Sequence, residues 1–205
     1  MRRFLFLAHR VPPEGAFTLN DLAGGAGRMD EIARAVSTAF TLSNDLRRDT
    51  VVTVLFVAEP PPRARRIDLN GTRLRYLNPD ERSTAALLKN ALTRAAAFPR
   101  EFESSPGLTV ASVDPEAELR AFLGRPGAVW LTEAGRPISD WNPGSEVAAV
   151  ISDPYDPTPA EHELLVASGV PQLSVGPRSL RTSQVVDLVH AALDRREVGT
   201  PASPH

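Results

Sequence analysis

The sequence predicts an α/β protein built on a mostly parallel sheet with helices on both faces, and three observations carry that expectation. Phe4-Leu5-Phe6-Leu7-Ala8 and Val51-Val52-Thr53-Val54-Leu55-Phe56-Val57 are short, nearly continuous apolar runs, the pattern of strands buried on both faces. Between them, Ile32, Ala33, Val36, Ala39 and Phe40 recur at the spacing of one helix face, so Met29–Leu46 reads as the helix of a βαβ unit. The second half of the chain then alternates short apolar runs with amphipathic segments. With 205 residues and 42% hydrophobic content, one domain with a proper core is expected over residues 1–197, followed by a disordered tail at 198–205.

Taken in order, Pro60-Pro61-Pro62 breaks regular structure after the second strand. Arg65–Leu69 and Arg73–Tyr76 follow as short strands with Asn70-Gly71 as their turn, a hairpin inserted beside the core. Asn78-Pro79-Asp80-Glu81 signals a helix start, and that helix runs through Ala97 to a stop before Pro99. Strands at Leu108–Ser112, Ala128–Leu131, Val147–Ile151 and Pro171–Val175 then alternate with helices at Pro115–Leu123, Pro159–Ala167 and Ser183–Arg195.

Composition removes several classes of function. Without cysteine there is no disulfide, thiolate metal site or cysteine nucleophile, and His9, His162, His190 and His205 lack metal-ligand spacing, so no metal is expected. No apolar run approaches the length of about eighteen residues that a membrane span needs, and the first residues lack a cleavage site, so a cytoplasmic protein is expected. A net charge of −2 does not suit a general nucleic-acid binder. Yet Lys89 is the only lysine among 23 basic residues, and arginine forks phosphate and stacks on bases, so a small patch could hold structured RNA. A GC-rich genome produces the same bias.

In open parallel sheets ligands sit beyond the carboxyl ends of strands, which directs attention to Leu131–Gly135, Ser152–Pro154 and Leu173–Leu180. In the last of these Gly176 permits close backbone approach and Pro177 stiffens the turn, although any strand-to-helix turn favours such residues. The glycine fingerprint of a dinucleotide-binding enzyme is missing after the first strand.

Blocks spread along the chain carry a resemblance. Met1–Arg10, Leu19-Asn20-Asp21-Leu22 with Gly24–Arg28 and Asp30, Arg47-Arg48-Asp49-Thr50, and Arg75–Leu87 with its Leu-Asn-Pro-Asp-Glu-Arg-Ser core resemble the TrmY family of tRNA pseudouridine N1-methyltransferases. Leu173–Leu180 is similar to that family's cofactor loop. The resemblance implies a SPOUT methyltransferase fold whose C-terminal part, about residues 128–197, forms a deep trefoil knot, a rare exception to ordinary chain connections. It implies S-adenosylmethionine as methyl donor, S-adenosylhomocysteine as product, tRNA as substrate with N1 of the T-loop pseudouridine as target, and a homodimer with the active site at its interface. Ribosomal RNA as substrate, or RNA binding without methyl transfer, are the alternatives.

By position, the resemblance assigns Leu131, Ser152, Leu173, Ser174, Val175, Gly176, Pro177, Arg178, Ser179, Leu180 and Gln184 to the cofactor site. Ser152 stands where the family usually has glycine and Gln184 where it has cysteine, which puts affinity in question. Asp80, then Asp21 and Asp49, are the carboxylates that could accept the N1 proton, although Asp80 also reads as the N-terminal residue of a helix. Arg10, Arg28, Arg47, Arg48 and Arg82 are candidates for RNA phosphates, each with the alternative of a surface ion pair. Arg178 could reach RNA or the cofactor carboxylate, and His9 could hydrogen-bond substrate or serve structure alone.

Overall fold

Phe4, Leu5, Phe6 and Leu7 are all buried because their strand lies inside the sheet with both faces covered. A computed structural model of the chain describes residues 1–57, 64–95 and 100–199. In chain order its elements are β1 (Arg2–Ala8), α1 (Met29–Phe40), β2 (Thr50–Val57), β3 (Ala64–Asn70), α2 (Glu81–Ala95), β4 (Phe102–Ser105), β5 (Leu108–Val113), α3 (Pro115–Leu123), β6 (Ala128–Pro137), β7 (Val147–Ser152), α4 (Pro159–Ala167), β8 (Gln172–Ser174) and α5 (Thr182–Gly199).

The strands form one sheet in the order β4-β5-β3-β2-β1-β7-β6-β8. From β2 to β8 neighbouring strands are parallel, whereas β3, β5 and β4 add an antiparallel edge. Strand alternation separates two cores. Phe4, Phe6, Val54 and Phe56 face α1, α2 and α5 through Ile32, Leu88 and Val189, while Leu5, Leu7 and Leu55 face α3 and α4 through Leu119, Phe122 and Leu165. Burial of each such side chain contributes about 1.5–3 kcal/mol. Among the described residues no helix is long and apolar enough to cross a membrane.

The expected hairpin forms only its first arm. Asn70 accepts the backbone N–H of Arg73 and Leu74 on its carbonyl, and its side chain accepts the N–H of Thr72, so the chain curls instead of turning back. Both edges of β3 are then taken, by β2 and β5, and residues 73–76 form no strand. The first helix ends at Phe40 rather than Leu46, because Thr41 adopts an extended backbone and bridges to Leu46. The α2 helix begins at Glu81, with Asp80 accepting the N–H of Ser83. Its expected end at Ala97, like the Pro60–Pro62 break, lies outside the described residues. Of the expected tail, Val198 and Gly199 close α5 and residues 200–205 lie outside the described residues.

Candidate functional site

Because β7, β6 and β8 lie side by side in parallel, their carboxyl ends open on one edge of the sheet. A concave pocket, open to solvent, lies there. Leu131, Ile151, Leu173, Val175, Leu180 and Val185 give it apolar walls, and Thr132, Glu133, Ser152, Asp156, Ser174, Arg178 and Thr182 give it polar groups. Gly176 completes the lining.

Of the residues expected at the cofactor site, Leu131, Ser152, Leu173, Ser174, Val175, Gly176, Arg178 and Leu180 thus meet in one pocket. Pro177 lines an adjoining hollow with Glu133 and Ile138, and Ser179 and Gln184 stand outside the lining. Sequence reasoning missed Ile151, Asp156, Thr182 and Val185 as lining residues. The signal was partly available, since Ile151 directly precedes Ser152 and Asp156 and Thr182 lie two residues beyond the strand exits that drew attention, whereas Val185 lies a helical turn further on.

Local chemistry shapes the cofactor loop. The Ser174 hydroxyl donates to the Gly176 carbonyl at 2.6 Å and accepts the Gly176 N–H at 3.1 Å, which holds the turn. Thr182 donates its hydroxyl to the Ser152 carbonyl at 3.0 Å, tying the start of α5 to the end of β7. A side chain at Gly176 would meet no atom within 4 Å, so the backbone there faces open space. Gly135 is the opposite case, because a Cβ there would lie 2.5 Å from Leu173 backbone atoms. The reason is that β6 meets β8 twice: Trp130 and Leu131 pair with Gln172 and Leu173, and then Arg136 and Pro137 pair with Leu173 and Ser174.

The two departures from the family pattern have local partners. Ser152 donates its hydroxyl to the Tyr155 carbonyl at 2.7 Å, inside its own loop. Gln184 accepts the Arg181 N–H at 3.0 Å as a helix cap. An apolar-walled cleft with a polar rim and an accessible glycine backbone fits a nucleoside-bearing methyl donor, whose adenine needs apolar cover and backbone hydrogen bonds.

The three candidate carboxylates are not gathered at the pocket. Asp21 accepts the N–H groups of Gly25 and Gly24, at 2.7 and 2.9 Å, and these bonds hold it below the usual carboxylate range. Asp80 is likewise held low, by hydrogen bonds from Ser83 at the start of α2. Asp49 sits just before β2, at the amino ends of the parallel strands, and pairs with Arg2 at 3.1 Å.

The arginines divide by position. At the amino ends, Arg47 grips Asp194 of α5 through two bonds, and Arg48 donates to the Gly71 and Leu74 carbonyls and to Asp45. Arg82 donates to the Leu19 carbonyl and Asn20, bracing the loop that precedes α1. Arg28 forks onto Asp30 and also reaches Glu31, where Arg34 meets it. Arg10 lies 3.9 Å over the ring of Tyr155, in the loop between Ser152 and Asp156 of the pocket.

His9 is held too firmly to serve as a free hydrogen-bond donor. Its Nδ1 meets Asp153 at 2.9 Å and its Nε2 meets Glu161 at 2.8 Å, the two acids being buried and the histidine mostly so. Burial alone would lower its pKa, but the two carboxylates outweigh that and raise it to about 10. Glu161 also closes the capping box of α4 with Thr158. The Thr-x-x-Glu spacing ahead of an apolar run was the sequence signal for this cluster.

Residues 1–198 match the family model described as "Putative SAM-dependent RNA methyltransferase". A tRNA (pseudouridine(54)-N(1))-methyltransferase from Methanocella arvoryzae is 38% identical over 200 residues, covering 96% of this chain and 100% of its own length. One from Haloferax volcanii with the same name is 37% identical over 196 residues, covering 95% of this chain and 96% of its own length. Among solved structures, Archaeoglobus fulgidus Nep1 bound to S-adenosylhomocysteine aligns with a TM-score of 0.61 at 14% identity, covering 96% of this chain and 99% of that one, which identifies a shared fold. The chain therefore belongs to the S-adenosylmethionine-dependent RNA methyltransferase family in which these tRNA enzymes fall.

Proposed function

We propose that the protein transfers a methyl group from S-adenosylmethionine to N1 of pseudouridine in the T-loop of tRNA, the activity its relatives are named for. The observation that carries the reading is the convergence of eight expected cofactor residues on one pocket at the carboxyl ends of β6, β7 and β8. When bound, the methyl donor would supply an electrophilic carbon on a sulfonium for attack by N1, whose proton would be released to solvent. The chain's task is alignment and exclusion of water. Leu131, Leu173 and Val185 would cover the apolar part of the donor, the Gly176 backbone would approach it, and Arg178, which also lines the pocket, would pair with its carboxylate.

Asp21 and Asp80, both held low, are weak proton acceptors, so their part is structural, Asp80 at the start of α2, which carries Arg82, and Asp21 in the loop that leads to Arg28. We read Arg10 and Arg28, beside the pocket loop, as phosphate contacts, and Arg47 and Arg48 as braces. The double pairing of β6 with β8 around Leu173 supports a trefoil knot in the C-terminal part. A homodimer and a cytoplasmic location complete the reading, the former because the resemblance to the family implies it and the latter because tRNA is the substrate.

Calorimetry with S-adenosylmethionine and nucleoside mass spectrometry of treated tRNA test the proposal together. N1-methylpseudouridine should appear in tRNA carrying pseudouridine and not in the unmodified transcript. Failure to bind the donor at millimolar concentration, or methylation of ribosomal RNA alone, would reject it.

A further inference from the structure

We infer that Tyr155, backed by Arg10, is the platform on which the target base stacks beside the methyl donor; this rests on the reading that the chain methylates RNA. Tyr155 lies in the loop between Ser152 and Asp156, which both line the pocket. Its backbone is fixed at both ends. The Tyr155 N–H donates to Asp153 at 3.0 Å, and its carbonyl accepts the Ser152 hydroxyl at 2.7 Å. Asp153 is in turn held by the backbone N–H and ring of His9, the residue before Arg10. One buried cluster therefore positions both partners of the stacked pair, whose guanidinium lies 3.9 Å from the ring centre.

A target base must leave its own stack to meet the donor, and an aromatic face beside the donor replaces part of what it loses. The ring is partly exposed, as such a platform must be. Arg10 can support it twice over: the cation polarises the ring it covers, and its charge is available to a phosphate flanking an extruded nucleotide.

The test uses a T-arm hairpin containing one pseudouridine, with binding read by anisotropy in the presence of S-adenosylhomocysteine and turnover read with S-adenosylmethionine. Tyr155→Leu, which keeps bulk and removes the π face, should weaken hairpin binding and raise its KM roughly 5- to 100-fold, the span of base–aromatic stacking. Tyr155→Phe should behave as wild type. Affinity for S-adenosylmethionine, by calorimetry, should stay within about twofold in both variants. Unchanged hairpin affinity in Tyr155→Leu, equal damage in Tyr155→Phe, or a parallel loss of donor affinity would each overturn the inference. If the wild type binds the hairpin without methylating it, the functional reading fails while the anisotropy comparison still decides the role of Tyr155.

Discussion

Asp80 shows how one contact can make a good cap and a poor base. Its carboxylate accepts hydrogen bonds from Ser83 at the first turn of α2, and the bonds that favour the charged form also lower its proton affinity. Asparagine caps helices as well as aspartate does but carries no charge. Asp80→Asn should therefore keep both the unfolding midpoint and the methyl-transfer rate, whereas Asp80→Ala should lower the midpoint. A collapse of rate in Asp80→Asn at unchanged stability would restore Asp80 to the chemistry. His9 makes a second residue-level prediction. Its folded pKa of about 10 lies above its ordinary 6.5, so its stabilising contribution is complete below pH 6.5 and is lost as pH rises from there through 10. His9→Gln should lower stability most at pH 6 and least near pH 10, a difference that urea titrations at those two values will detect.

At the level of elements, α5 is held by its apolar face and by a polar lock at the opposite end from the pocket. Val186, Val189 and Leu193 are buried, His190 donates from Nε2 to the Ala39 carbonyl at the end of α1, and Arg2 donates to its Nδ1. Burial, with Arg47 and Arg2 adding repulsion, lowers the His190 pKa to about 4, so the folded state holds it neutral. The sign is opposite to that of His9: stability is full above pH 6.5 and falls as pH drops from 6.5 toward 4, because the unfolded chain binds the proton first. Glu161, held below 4.5 chiefly against its burial by the His9 contacts, adds to the loss on the acid side. Within the sheet itself, Gly135→Ala would push a Cβ into the Leu173 backbone, which cannot yield as a side chain would. Separation of β6 from β8 should then weaken S-adenosylmethionine binding at least tenfold by calorimetry, and full affinity would show that the double pairing is not needed by the pocket. These elements differ in how readable they were. The alternation of apolar runs with helical periods revealed α3 and α4 to the residue, and the resemblance located the cofactor loop. The Arg73–Tyr76 arm was misread because a two-residue turn signal was weighed without knowing that β5, from about forty residues on, would claim the strand edge. Thr132–Pro137 of β6 was read as a strand exit rather than as strand because its pairing with β8 depends on the three-dimensional return of the chain, which no local period encodes.

Over the whole molecule, a net charge of −2 is reconciled with an RNA substrate by where the arginines are placed and what they already hold. Arg47 and Arg48 are fastened at the amino ends of the sheet by Asp194, Asp45 and backbone carbonyls. Arg10 stands at the carboxyl ends with a ring as its partner, and Arg178 lines the pocket rim. Sequence alone could not separate these two groups, since each arginine came from an equally family-like block. The separation has a thermodynamic signature. Each phosphate neutralised releases counterions, so the slope of log affinity against log salt changes by about 0.9 per contact on duplex and about 0.7 on single strand. Arg10→Ala should therefore weaken tRNA binding and flatten that slope by nearly one unit, without moving the unfolding midpoint. Arg47→Ala should do the reverse: it leaves Asp194 with Arg2 alone, lowers stability and leaves the salt slope where it was. Fluorescence anisotropy with tRNA from about 50 to 200 mM salt separates the two, and a flatter slope for Arg47→Ala would place the RNA across the amino ends of the strands instead.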